Sequence, residues 1–179
     1  KYITAAVGRF FEAGALESGG LRMRAFGVTR TREEAGALLQ RSERILAFFA
    51  ERFGPCPYPD LDFLLIEGEA PGGHAPPGMV LLQRRPPLLR RTLRDDPANF
   101  PDEPDFFLAH EIAHQWFGQA VSGANYRERW LSEGFAQYAA ALWVRESRGE
   151  KPFRDVLDKF ARWAIRYDDE GPIHIGYRV

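Results

Sequence analysis

His110-Glu111-Ile112-Ala113-His114 lies inside residues 106–121, a segment apolar on nearly all sides, and the reading of that segment decides the rest of the chain. Asp102, Pro104 and Asp105 stand just ahead of it and mark a helix start, because a short acidic side chain can accept from the open amides of a first turn and proline is tolerated there. A helix that is apolar all round is a buried one. Two histidines and a glutamate in such a helix are costly to hold without partners, so they call for a role. His110 and His114 are one turn apart and stand on the same face, where two imidazoles can reach one metal ion without straining the backbone. Glu111 stands about 100° around from His110 and can reach solvent beside such an ion.

Further along, Glu133 lies in Trp130-Leu131-Ser132-Glu133-Gly134-Phe135-Ala136, within a second helix-rich segment at 128–148. Two histidines and a carboxylate are a common ligand set for catalytic zinc, and they leave a fourth position for water. Histidines at this spacing around a glutamate are a pattern known from zinc metallopeptidases. HEIAHQWFG over residues 110–118, with WLSEGFA over 130–136, resembles the gluzincin aminopeptidases, the family that includes aminopeptidase N.

The resemblance implies an α+β fold, a thermolysin-like zincin catalytic domain in which a mixed sheet lobe with a helix is followed by a helical lobe. It implies Zn2+ as cofactor, with His110, His114 and Glu133 as ligands, and Glu111 as the carboxylate that deprotonates water. It implies a peptide substrate lying along Gly72, Gly73, His74 and Ala75, the residues aligned with the family's Gly-x-Met-Glu-Asn segment. There the glutamate that would hold a substrate's free amino group is replaced by Ala75, and His74 is no anionic substitute. The backbone of that stretch can still hydrogen-bond an extended peptide, so exo- and endopeptidase readings both stay open. The family's transition-state tyrosine is expected beyond Val179, since the flanks of Tyr167 and Tyr177 do not match its pattern.

Upstream, residues 2–11 and 21–28 read as strands joined by a turn region at 14–20. From Thr31, a candidate N-cap, to Phe53, the residues Leu38, Ser42, Ile45, Phe49 and Phe53 recur at helical spacing, until Gly54 and the prolines at 55, 57 and 59. Residues 61–66 read as a short buried strand. The Gly- and Pro-rich stretch 71–78 leads into the apolar run 79–83, for which an edge strand is expected. Residues 84–101, rich in arginine and then in acids and prolines, read as a surface connection. A last helix is expected over 153–167. Trp116, Phe117, Trp130, Phe135 and Trp143 are read as core, and Cys56 and His174 as structural. Residues 1–12 are expected to be the end of a preceding β domain or a first strand. Residues 13–179 would then be the catalytic domain, truncated on its C-terminal side and joined to other domains of a larger parent.

Composition bounds the partners. At 179 residues and 45% hydrophobic, the chain can bury a substantial core. With 24 basic and 25 acidic side chains its net charge of −1 creates no field that would draw nucleic acid, so none is expected as a partner. No apolar run is long enough for a membrane span. A single cysteine, Cys56, cannot form an internal disulfide, so the fold does not depend on an oxidising compartment and the location stays open. Two functions remain: a zinc peptidase, or a peptidase-like zinc-binding domain acting as a binding or scaffold module.

Overall fold

The computed structural model describes residues 4–27, 32–66, 73–83, 100 and 102–166. Strands β1 (Phe11–Ser18) and β2 (Leu21–Gly27) form an antiparallel hairpin that turns at Gly19 and Gly20. Helix α1 (Arg32–Phe53) crosses over so that β3 (Asp60–Ile66) pairs parallel to β2. After β4 (Gly73–His74), strand β5 (Met79–Gln83) pairs parallel to β3 and antiparallel to β4. Among the described residues the sheet order is β1-β2-β3-β5-β4, a mixed sheet. Helices α2 (Phe106–Ala113), α3 (Arg129–Arg148) and α4 (Glu150–Arg166) follow, with one 3-10 turn at Tyr126–Glu128 before α3. The α+β architecture is the expected one.

Local boundaries differ from the sequence reading in several places, among them the last helix, which begins at Glu150 rather than at 153. The first strand begins at Phe11 and residues 4–10 hold no strand. Val7 stands 97% exposed with no core to meet, whereas Ala13 is buried and Leu16 packs against the core, so the run expected to be turn is pleated instead. The strand Met79–Gln83 is one in from the edge; the edge belongs to β4, whose Gly73 and His74 pair with Leu82 and Leu81. Helix α2 stops at Ala113 rather than near 121, because the next amides bond three residues back, Gln115 to Ile112 and Trp116 to Ala113. Asp105 occupies the N-cap position of α2 but makes no side-chain cap; its carboxylate accepts from Arg41 Nη1 at 3.0 Å instead. The connection read at 84–101 lies outside the described residues except for Phe100, as do Tyr167, His174 and Tyr177.

The core lies between α1, the sheet and α2, with α3 completing it. Leu38, Ser42, Ile45 and Phe49 of the α1 stripe are buried, and Ser42 Oγ donates to Leu38 O at 2.9 Å, which makes a hydroxyl tolerable there. Phe49 meets Trp116 edge-on at 5.9 Å and Phe48 meets Trp143 at 5.5 Å, tying α1 to the segment after α2 and to α3. Such ring pairs add about 0.5–1.5 kcal/mol each beyond the area they bury. Trp116 Nε1 donates to Gly54 O at 3.1 Å, so its polar edge is satisfied inside this cluster. The pair Arg24–Asp62 makes two hydrogen bonds, 2.8 and 2.7 Å, across β2 and β3 and fixes their register from outside.

Candidate metal centre

Helix α2 carries the central motif as its last turn. Phe106, Leu108, Ala109, Ile112 and Ala113 are buried together with His110 and Glu111, so the backbone that presents the site is held by the core on several sides. His114 stands at the C-cap. Its Nδ1 lies 3.0 Å from Phe117 O, and as that carbonyl can only accept, Nδ1 carries a proton there, while Nε2 faces His110 and Glu133. Gly118, at φ 114°, closes this turn; a Cβ there would come within 3.1 Å of Ser132 Cβ and 3.6 Å of His114 Nδ1. A residue without a side chain thus lets the first turn of α3 approach His114.

That approach delivers Glu133. Its Oε2 lies 3.5 Å from His110 Nε2 and 3.5 Å from His114 Nε2, and the two Nε2 atoms are 3.1 Å apart. The rings of His110 and His114 meet edge-on, centroids 4.6 Å apart, so their inner nitrogens face a common point. Ligand atoms about 2.0–2.1 Å from a tetrahedral zinc would be separated by roughly 3.3 Å, which these three separations match. Among the described residues His110, His114 and Glu133 form a group able to hold a metal ion, and their donor types are those zinc takes.

The electrostatics are those of three groups sharing one place. Burial pushes the Glu133 carboxyl up, but hydrogen bonds from His110 and His114 outweigh it and hold the group well below the usual carboxylate range. Burial pushes the His114 imidazole down; contacts with Glu133, the Phe117 carbonyl and Glu111 outweigh that and leave it raised. Arg129 Nε, one turn before Glu133, lies 3.7 Å from its other oxygen.

Strand β4 forms the other side. Glu111 is 4% exposed, and a Cβ on Gly73 would stand within 2.8 Å of Phe107 Cζ and closer still to the Glu111 carboxylate. The strand backbone therefore touches Glu111 as only glycine allows. His74 is exposed at the sheet edge, Ala75 is buried, and Gly72 lies outside the described residues. Two glutamines escape any sequence signal because their partners are backbone atoms far away in the chain. Gln115, fully buried, accepts from Gly78 N at 2.9 Å and donates to Pro76 O and Met79 O, each at 3.2 Å. Gln119 Nε2 donates to Ala75 O at 2.9 Å. Of the aromatics read as core, Trp116 and Trp143 are buried and Phe117 and Trp130 half-buried, but Phe135 is 51% exposed and stacked on Phe117 at 5.2 Å.

A histidine pair on a buried helix, a carboxylate from the next helix and a mixed sheet alongside are the fold and donor arrangement of the gluzincin zinc metallopeptidases. The chain belongs to peptidase family M1, whose domain model matches residues 38–169. It is 28% identical to endoplasmic reticulum aminopeptidase 2 of Homo sapiens over 83% of this chain and 15% of that protein. It is 30% identical to aminopeptidase M1-A of Oryza sativa subsp. japonica over 78% of this chain and 16% of the relative. An M1 zinc metallopeptidase from Deinococcus radiodurans superimposes with a TM-score of 0.62 at 26% identity, covering 88% of this chain and 32% of that one. A mutant of the Deinococcus radiodurans M1 enzyme with a bound Tyr-Ser-Ala substrate superimposes with a TM-score of 0.59 at 26% identity, over 88% of this chain and 33% of that one. The chain thus spans about one sixth of these curated relatives and a third of these solved structures.

Proposed function

We propose that this chain supplies the catalytic centre of a zinc-dependent, aminopeptidase-like peptidase, with His110, His114 and Glu133 holding the ion and Glu111 as general base. The observation that carries the reading is the convergence of three donor atoms within 3.1–3.5 Å of one another, with a buried carboxylate beside them. Zinc, when bound, supplies Lewis acidity toward a peptide carbonyl and toward water, whose pKa it lowers from ~15.7 to roughly 7. Glu111 handles the proton: its carboxylate takes it from the attacking water as the oxygen bonds to the carbonyl carbon, then delivers it to the nitrogen as the C–N bond breaks. Burial of Glu111 excludes bulk water that would compete for that proton. Gly72, Gly73, His74 and Ala75 form the substrate side, where the open edge of β4 pairs with an extended peptide.

Relatives named as aminopeptidases make removal of N-terminal residues the first activity to test. Ala75 offers no carboxylate to a substrate ammonium group, so peptides with blocked N-termini are the informative second substrate. Residues 13–179 belong, on this reading, to the catalytic domain, residues 1–12 are the end of a preceding β domain or lead into the first strand, whose Phe11 and Glu12 they supply, and further domains complete the enzyme. A binding or scaffold role is less well supported, because a site of three protein ligands leaves a position open where structural zinc sites use four. The chain should hold zinc, the full-length enzyme that carries it should cleave peptides, and Glu111→Gln in that enzyme should hold zinc without cleaving. Wild type without stoichiometric zinc, or a Glu111→Gln variant as fast as wild type, would refute the reading.

A further inference from the structure

We infer that Gln115 and Gln119 are positioning residues that fix the substrate-facing strand β4 against Glu111; the inference rests on the proposal that β4 lines the peptide cleft. Strand β4 has only Gly73 and His74 in ladder pairing with β5, too little to set its position alone. Three further contacts fix it. At Gly73 the backbone packs so close to Glu111 and Phe107 that a Cβ would collide with both. At Ala75 the carbonyl accepts from Gln119, and across Pro76, Gly78 and Met79 the amide of Gln115 makes three bonds. Both glutamines rise from the turns that follow the histidine pair, so the segment that presents His114 also carries the clamp on the strand.

The chemistry favours glutamine at 115. The site is fully buried and must offer one acceptor, to Gly78 N, and a donor group to two carbonyls, which a neutral amide does and a carboxylate or hydroxyl cannot. The β4–β5 turn is otherwise poor in side chains able to bond across to α2, since it reads Ala75-Pro76-Pro77-Gly78 and exposes backbone groups alone. These side-chain bonds of Gln115 and Gln119 go to the backbone of residues 75–79 and not to His110, His114 or Glu133, so loosening the clamp is expected to move the strand while the three ligands keep their arrangement.

The test uses the zinc-loaded full-length enzyme and two variants of it, Gln119→Ala, at a half-buried position, and Gln115→Met, which keeps the length of the side chain. Both are expected to keep zinc stoichiometry unchanged and to raise KM for a peptide substrate roughly five- to tenfold with kcat within about twofold, the signature of lost substrate binding. Amide exchange at Gly78 should rise roughly tenfold or more in Gln115→Met. Unchanged KM with unchanged Gly78 exchange, or a fall in kcat at constant KM, overturns the inference. If wild type binds zinc but turns over no peptide, the functional proposal fails, and Gly78 exchange still decides whether the glutamine holds the strand. Should Gln115→Met fail to fold, Gln119→Ala decides alone.

Discussion

The two helices that meet at the metal centre do so with different firmness. Helix α2 presents His110 and Glu111 from a turn whose neighbours Ala109, Ile112 and Ala113 have no measurable exposure. Helix α3 presents Glu133 from its first turn, where Arg129 and Gly134 are exposed, Ser132 is half-buried and no side chain caps the helix. One side of the site is set by the hydrophobic core, the other by polar contacts to the ligands themselves. The histidine pair is thus held by the core, whereas Glu133 is placed by the contacts it makes with the two imidazoles.

Several substitutions separate these two walls. The largest effect falls on chemistry alone: Glu111→Gln should cut kcat by about 10²–10⁴ while zinc content stays at one per chain, read by steady-state kinetics and metal analysis. Next, His110→Ala should weaken zinc binding beyond the roughly 10–100-fold that loss of an outer partner costs, and more than Glu133→Ala does, read by competition with a chelating dye. Equal losses would mean the two walls contribute alike. Phe49→Ala, under the firm wall, should lower unfolding free energy by about 3–5 kcal/mol in urea, since a fully buried ring shared by Phe48, Phe53 and Trp116 is removed. The smallest effect is expected from Glu133→Ala without metal: its contacts are long and its side chain 38% exposed, so stability should fall by no more than about 1 kcal/mol.

Legibility followed the same division. The histidine spacing and the α1 stripe could be read because one helix's own period generates them, and Leu38, Ile45 and Phe49 are buried where that period puts them. Glu133 could be suspected from the ligand count, but its approach depends on Gly118 and Ser132, a contact between segments that periodicity does not encode. The end of α2 was hidden because Trp116 and Phe117 stay apolar while packing on Phe49 and Phe53 through a turn, not a helix. Phe135 read as core for the same reason in reverse: an apolar residue at helical spacing reveals a face but not what covers it. Gln115 gave no signal, since a lone glutamine looks alike whether it faces water or three backbone groups.

Anomalous scattering at the zinc edge from crystals of the metal-loaded protein tests the central claim most directly. The account predicts a single strong peak bonded to His110 Nε2, His114 Nε2 and a Glu133 oxygen at about 2.0–2.2 Å, with one coordination position not filled by protein. A peak elsewhere, or one at this place that Glu133 does not reach, would contradict it.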